Sequence, residues 1–120
     1  MVKKQAEPTK TPIEKALLVG VEVYGSTDLL PLSDSLTELS RLAETAGLEV
    51  VGQITQKLEH PNPSTYIGPG KVEEVRALAE EHQAQVILFD DELSPRHLRE
   101  LEEVLGEQIR VVDRTALILD

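Results

Sequence analysis

The segment Tyr66–Lys71 has the residue types of an anion-binding loop, because two glycines and a lysine stand immediately before a predicted helix. Free N–H groups at a helix N-terminus can hold an anion. A nucleotide-binding P-loop also needs a glycine five residues before the glycine of the Gly-Lys pair, and a Ser or Thr after the lysine. Thr65 and Val72 occupy those positions, and Glu73 replaces the third glycine of the dinucleotide fingerprint. We interpret the segment as a tight turn whose glycines supply positive φ. The open alternative is an anion or RNA-phosphate contact by Tyr66, Gly68, Gly70 and Lys71.

Carboxylates follow two of the predicted strands. Asp90 and Asp91 come after the third strand, and Asp113 comes after the fourth. Ligands of open α/β sheets bind along the carboxyl edge of the strands, and Mg²⁺ prefers oxygen ligands. The three residues are therefore weak candidates for a metal site. The structural alternative is that Asp91 is solvated or caps the third helix, and that Asp113 caps the helix that follows it.

The C-terminal third contains the densest basic group of the chain: Arg96, His97, Arg99, Arg110 and Arg114. Arg96, Arg99 and Arg114 are candidate contacts to RNA or to another anionic partner. Several glutamates alternate with these residues, so ordinary surface ion pairing is the favoured interpretation.

Catalytic residues and a strong metal site are not predicted. The three histidines lack ligand spacing, the chain has no cysteine, and no Gly-x-Ser-x-Gly nucleophile motif occurs.

The elements that would position these residues alternate between strand and helix. Apolar runs predict four strands, at 16–23, 48–57, 85–90 and 109–112. Helical periodicity predicts three helices, at 35–46, 71–82 and 95–105. Alternation of this kind indicates an α/β fold with a mostly parallel sheet, for which we expect the strand order 2-1-3-4. The second strand is polar at its far end, which is typical of a sheet edge.

Local signals set the expected helix boundaries. Ser35 and Glu38 have the spacing of a capping box at the start of the first helix. Gly47 has the position of a C-terminal glycine with positive φ. Ser94 followed by Pro95 predicts the start of the third helix.

The size of the chain, 120 residues, fits one domain. Residues 1–14 are polar and Pro-containing and predict a flexible arm; residues 15–120 form the expected domain. No apolar run has the length of a membrane span, and no signal peptide precedes the domain, so we expect a cytoplasmic protein. The net charge of −10 argues against strong nucleic-acid binding by the isolated chain.

The last eight residues, 113–120, predict a capping residue and the start of a fourth helix. Leu117, Ile118 and Leu119 would need cover there. We therefore expect the chain to be a fragment of a longer protein.

Three separate motifs resemble the N-terminal domain of the HflX family of ribosome-associated GTPases. They are Tyr66-Ile67-Gly68-Pro69-Gly70-Lys71-Val72-Glu73-Glu74, Phe89-Asp90-Asp91-Glu92-Leu93-Ser94-Pro95 and Val112-Asp113-Arg114-Thr115-Ala116-Leu117-Ile118-Leu119-Asp120. The segment 45–52 is also similar to that family. The likeness covers about residues 15–120, and Ala116 stands where the family often has glycine.

The resemblance implies a four-stranded parallel α/β subdomain that is followed, in the whole protein, by a helical hairpin and a G domain. GTP and Mg²⁺ would bind in that absent G domain, so no cofactor is expected in this chain. The whole protein would bind the large (50S) ribosomal subunit and act in ribosome splitting, rescue or translation under stress. This chain would be a ribosome-facing and regulatory part that binds partners without catalysis, and its candidate contacts could also meet the G domain. The alternative is a small nucleotide- or Mg²⁺-binding domain that uses Gly68, Gly70 and Lys71 with Asp90 and Asp91.

Overall fold

A four-stranded, all-parallel sheet forms the centre of the computed structural model, which describes residues 12–25 and 30–119. The strands are β1 (Lys15–Val23), β2 (Glu49–Leu58), β3 (Val86–Phe89) and β4 (Arg110–Asp113). The helices are α1 (Leu32–Thr45), α2 (Pro69–His82), α3 (Pro95–Leu105) and α4 (Arg114–Leu119). Each strand pair is parallel, and the order is β2-β1-β3-β4. The predicted α/β class and strand order are confirmed.

Two apolar layers cover the sheet. Side chains of α2 and α3 pack with Leu17, Val19 and Phe89 on one face. Side chains of α1 pack with Leu18 and Leu88 on the other face. The continuous apolar runs of β1 and β3 are explained by this burial on both faces, which is the environment of central parallel strands. β2 lies at an edge, as its more polar sequence predicts.

The predicted start of α1 is wrong by three residues. The helix begins at Leu32, after Pro31, and no side chain caps its first turn. Ser35 is not the N-cap because it lies inside the first turn of the helix. Its hydroxyl donates to Asp90, 2.7 Å away and 55 positions later in the chain. The local sequence pattern predicts that Ser35 caps the helix, whereas in the structure its side chain takes part in a contact distant in sequence.

The other helix boundaries agree better with their local signals. Ser94 caps α3: its hydroxyl accepts from the N–H of His97, while the ring of His97 accepts from the N–H of Ser94. Gly47 has the predicted positive φ, 91°. α2 begins at Pro69, two residues before the predicted start, since proline suits the first turn of a helix.

α4 follows β4 directly, and this confirms the predicted fourth helix start. Leu117 packs against the layer formed by α1, whereas Ile118 and Leu119 are 59% and 81% exposed. Within the described ranges 12–25 and 30–119, no helix has both the length and the apolar character needed to cross a membrane.

Most of the predicted N-terminal arm, residues 1–11, lies outside the described residues. Glu14, at its end, is tied to the sheet. Its carbonyl accepts from the N–H of Glu49, and its carboxylate pairs with Arg110 at 2.7 Å. The division of the chain at residue 14 stays a prediction.

Candidate functional site

Arg114 lies at the carboxyl edge of the sheet, where it joins three elements. Its guanidinium donates to Asp90 at 2.6 and 3.2 Å, to Glu38 at 2.9 Å and to the carbonyl of Ser35 at 2.9 Å. The second carboxylate oxygen of Asp90 accepts from the Ser35 hydroxyl. We call these four residues the Asp90 clamp. It connects the end of β3, the start of α4 and the first turns of α1.

The electrostatics of the Asp90 clamp favour the charged guanidinium. The Asp90 side chain is 7% exposed and the Arg114 side chain 21%. Burial by itself would lower the pKa of Arg114. The hydrogen bonds and the attraction from Asp90, and then from Glu38, outweigh burial, so the pKa of Arg114 is raised above its ordinary value. Arg114 therefore acts as a permanent cation that neutralises a nearly buried carboxylate.

Asp113 has the capping role that the sequence predicts, together with a second role. One of its carboxylate oxygens accepts from the N–H of Ala116 at 2.9 Å, at the start of α4. The other accepts from the N–H of Leu93 at 2.8 Å, just before α3. Asp113 is 6% exposed. Its lone pairs therefore serve backbone groups that would otherwise be buried without a partner.

The predicted metal alternative finds little support at this edge. A cleft of about 600 Å³ lies beside Asp90 and Asp91, and Glu22 and Lys57 also line it. Both oxygens of Asp90 are already engaged by Ser35 and Arg114. Across 12–25 and 30–119, no group of three or more His, Asp or Glu side chains could hold a metal ion. The donor set does not fit Mg²⁺.

The glycine turn before α2 differs from the prediction in its backbone. Gly68 has φ −67° and forms the N-cap of α2, and Gly70 lies within the helix. The positive φ belongs instead to Tyr66, at 68°. The prediction that Gly68 and Gly70 supply positive φ is therefore wrong. An added Cβ at Gly68 would lie 3.3 Å from the Gln56 amide nitrogen, a tight contact with the end of a flexible side chain.

Two polar groups of this turn have partners within the chain. The N–H of Gly68 donates to the Gln56 side chain at 3.0 Å, and Pro69 has no N–H to offer. Lys71 pairs with Glu74 at 3.2 Å. Val72 provides no hydroxyl for a metal ion. The turn therefore lacks the hydroxyl with which a P-loop holds magnesium.

A different group of the predicted residues is brought together where the loop before α2 meets α3. The Arg96 guanidinium donates to the hydroxyl of Ser64 at 3.3 Å. The Tyr66 ring lies edge-on to the His97 ring, with centroids 5.3 Å apart, and edge-on to Phe89 at 6.3 Å. Arg99 is exposed one helical turn after Arg96. We call Ser64, Tyr66, Arg96, His97 and Arg99 the loop–α3 surface.

The expectation of ordinary ion pairing holds for only part of the basic group. Arg110 pairs with Glu14, and Arg114 pairs with Asp90 and Glu38. Within the described part of the chain, neither Arg96 nor Arg99 forms an ion pair. For these two arginines the favoured interpretation is wrong: the glutamates four positions later do not reach them.

Comparison with known proteins decides the family. Residues 33–120 match the model of the family described as GTP-binding GTPase N-terminal. The chain belongs to this family.

Relatives of the chain carry the name GTPase HflX, in agreement with the resemblance seen in the sequence. The protein of Alkalihalophilus pseudofirmus is 45% identical over 108 residues, which is 90% of this chain and 25% of that protein. The protein of Escherichia coli is 36% identical over 107 residues, covering 89% of this chain and 24% of that protein. The chain thus spans about a quarter of the length of these relatives and corresponds to their N-terminal domain.

The fold is also that of a solved GTP-binding protein. The protein from the hyperthermophilic archaeon Sulfolobus solfataricus, in complex with GDP, aligns with a TM-score of 0.64 at 20% identity. The alignment covers 89% of this chain and 29% of that one. The likeness shows a common α/β architecture.

The family's motifs thus separate into two groups of contacts in this chain. The Asp-Asp-Glu and Asp-Arg-Thr motifs supply Asp90, Asp113 and Arg114, which fix the carboxyl edge. The motif before α2 supplies Tyr66 to the loop–α3 surface. Sequence reasoning missed the partners Ser35 and Gln56. No local signal marks them, since each acts on a residue 12 or more positions away.

Proposed function

We propose that this chain is the N-terminal, non-catalytic domain of an HflX-type GTPase and that it works by binding partners in the cytoplasm. The whole protein binds and hydrolyses GTP with Mg²⁺ on a G domain outside these 120 residues. It associates with the large ribosomal subunit and acts in the splitting or rescue of ribosomes, or in translation under stress. The partners of this domain are its own G domain and helical hairpin, and the rRNA and proteins of the subunit.

One observation carries the non-catalytic part of the proposal: the turn before α2 is built from internal contacts. The Gln56 side chain accepts from the N–H of Gly68, and Glu74 pairs with Lys71. At the neighbouring edge, Arg114 and Ser35 occupy Asp90. A nucleotide that used the N–H of Gly68, the Lys71 side chain or Asp90 would have to displace these contacts.

The proposal that the G domain, and not this chain, carries out catalysis is tested by measuring GTP hydrolysis by the complete gene product. We expect the same rate from Lys71→Ala as from the unmodified protein, with Lys15→Ala as a charge-matched control outside the turn. A rate that falls at least tenfold in Lys71→Ala alone would favour the alternative, in which Gly68, Gly70 and Lys71 hold the nucleotide.

The ribosomal part is tested by sedimentation with purified large subunits. We expect the complete gene product to pellet with the subunits. The 120-residue chain, with a net charge of −10, should pellet weakly or not at all. Failure of the complete protein to pellet in any nucleotide state would contradict the ribosomal role.

A further inference from the structure

The loop–α3 surface carries two guanidinium groups that the fold does not use for charge neutralisation. Arg96 and Arg99 are exposed, and within 12–25 and 30–119 neither has a carboxylate partner. Glu100 and Glu103 follow them at four-residue spacing, where helical ion pairs normally form. Arg41 and Lys57 also have no carboxylate partner in the described ranges, but Arg96 and Arg99 lie within one helical turn of each other. In a chain with 22 acidic and 12 basic residues, they form a local pair of unneutralised positive charges.

His97 adds a ring nitrogen to the same surface. Its Nδ1 lies 3.2 Å from the backbone nitrogen and 2.9 Å from the hydroxyl of Ser94. Nε2 is the ring nitrogen that this cap does not use, on a ring that lies between Arg96 and Arg99 in sequence.

The loop that contacts α3 is held in one conformation by its own hydrogen bonds. Asn62 and Tyr66 exchange two backbone bonds, of 3.0 and 2.9 Å, and the Asn62 side chain accepts from the N–H groups of Ser64 and Thr65. Tyr66 is thereby kept at φ 68°, which is unfavourable for a bulky side chain. Strained backbone that the surroundings hold in place is concentrated at functional sites.

We propose that the loop–α3 surface is where this domain contacts ribosomal RNA, with Arg96 and Arg99 on neighbouring phosphates and His97 Nε2 facing a phosphate or base edge. This inference rests on the proposed function and adds the location of its RNA contact. Two residues three positions apart on a helix have Cβ atoms about 5–6 Å apart, which places both guanidinium groups on one face. Guanidinium forks bind phosphate through paired N–H groups. The preformed loop lowers the ordering cost of binding.

The test uses the complete gene product and purified large ribosomal subunits, with binding measured over a series of salt concentrations. The Arg96→Gln/Arg99→Gln variant removes two positive charges. Arg41→Glu is the matched control, because it changes the net charge by the same amount. Arg41 is exposed on α1, which packs on the opposite face of the sheet from α3.

The expected result is an affinity at least about tenfold lower for the double glutamine variant, with Arg41→Glu close to the unmodified protein. The slope of log K against log salt should become shallower by about 0.7–0.9 for each phosphate that the variant no longer neutralises. Arg96→Lys/Arg99→Lys keeps the charge without the fork and should give an intermediate affinity. Equal melting temperatures for all variants would show that folding is unchanged.

Three results would overturn the inference, and they are distinguishable. If the unmodified protein does not bind subunits, both this inference and the ribosomal function fail. If it binds and the double glutamine variant binds equally well, the location alone is wrong. If affinity falls while the salt slope is unchanged, the surface contacts a protein and not RNA phosphate.

Discussion

Replacement of Arg114 by methionine should destabilise the chain far more than the loss of an exposed ion pair. The change leaves Asp90, 7% exposed, with only the Ser35 hydroxyl as a partner. Removing one partner of a buried ion pair costs about 3–5 kcal/mol. Arg114 is 21% exposed, and Ser35 still donates, so we place the loss nearer about 2–3 kcal/mol. For a domain of this size, that lowers the melting temperature by roughly 10 °C.

The assay is urea denaturation of the 120-residue chain followed by circular dichroism, with Arg110→Met as the matched control. Arg110 also pairs with a carboxylate at 2.7 Å, but its side chain is 55% exposed and that of Glu14 is 43% exposed. Loss of that pair should cost about 0–1 kcal/mol. The reasoning is refuted if both variants lose the same free energy of unfolding.

Two further measurements separate the charge effect from packing. Asp90→Asn combined with Arg114→Met removes the unpaired charge, so the double variant should be more stable than the sum of the single losses predicts. The pKa of Arg114 is raised in the folded chain, so its stabilising effect is complete below the unfolded-state pKa and is lost only at strongly alkaline pH. The cost of Arg114→Met should therefore be constant between about pH 6 and about pH 9. A cost of Arg114→Met that decreases steadily over this pH range would contradict the role of Arg114 as a charged partner of Asp90.

Four further changes test the contacts that fix the elements, each by the same urea titration. Gly20→Ala should destabilise the chain by about 1–3 kcal/mol, because the added Cβ would lie 3.0–3.1 Å from Leu32 and Leu36. Gly70→Ala, where the added Cβ meets open space, should stabilise the chain by up to about 1 kcal/mol. Effects of the opposite sign would contradict the packing described. Ser94→Ala should cost about 1 kcal/mol through loss of the α3 cap, and Ser40→Ala serves as its control; equal losses would argue against the cap. Asp113→Ala should cost about 2–4 kcal/mol, because the N–H groups of Leu93 and Ala116 lose their acceptor, and a loss below about 1 kcal/mol would speak against that role.

The sequence was informative where one residue's environment depends on its neighbours in the chain. The apolar runs of β1 and β3 predicted central parallel strands, since burial on both faces leaves few polar positions. Ser94 and Asp113 were assigned as caps because a cap acts on residues within three positions. The alternation of strands and helices predicted the parallel sheet, and its expected order 2-1-3-4 is the order observed.

The errors occurred where a distant element determines a side chain's partner. Ser35 matches a capping box, but Asp90 accepts its hydroxyl across 55 positions. The glycines before α2 suggested positive φ, yet the Asn62 bridge imposes it on Tyr66. Arg96 and Arg99 were expected to pair with nearby glutamates, but Arg96 is directed to Ser64 in the loop before α2. None of these outcomes could be obtained without the tertiary arrangement.

The central claim, that the turn before α2 shapes backbone and does not bind nucleotide, is tested most directly by titrating the 120-residue chain with GTP and Mg²⁺ under NMR observation. The account predicts that the backbone amide signals of Gly68, Gly70 and Lys71 do not shift at millimolar nucleotide. Saturable, magnesium-dependent shifts at these three residues, absent with GTP alone, would contradict it.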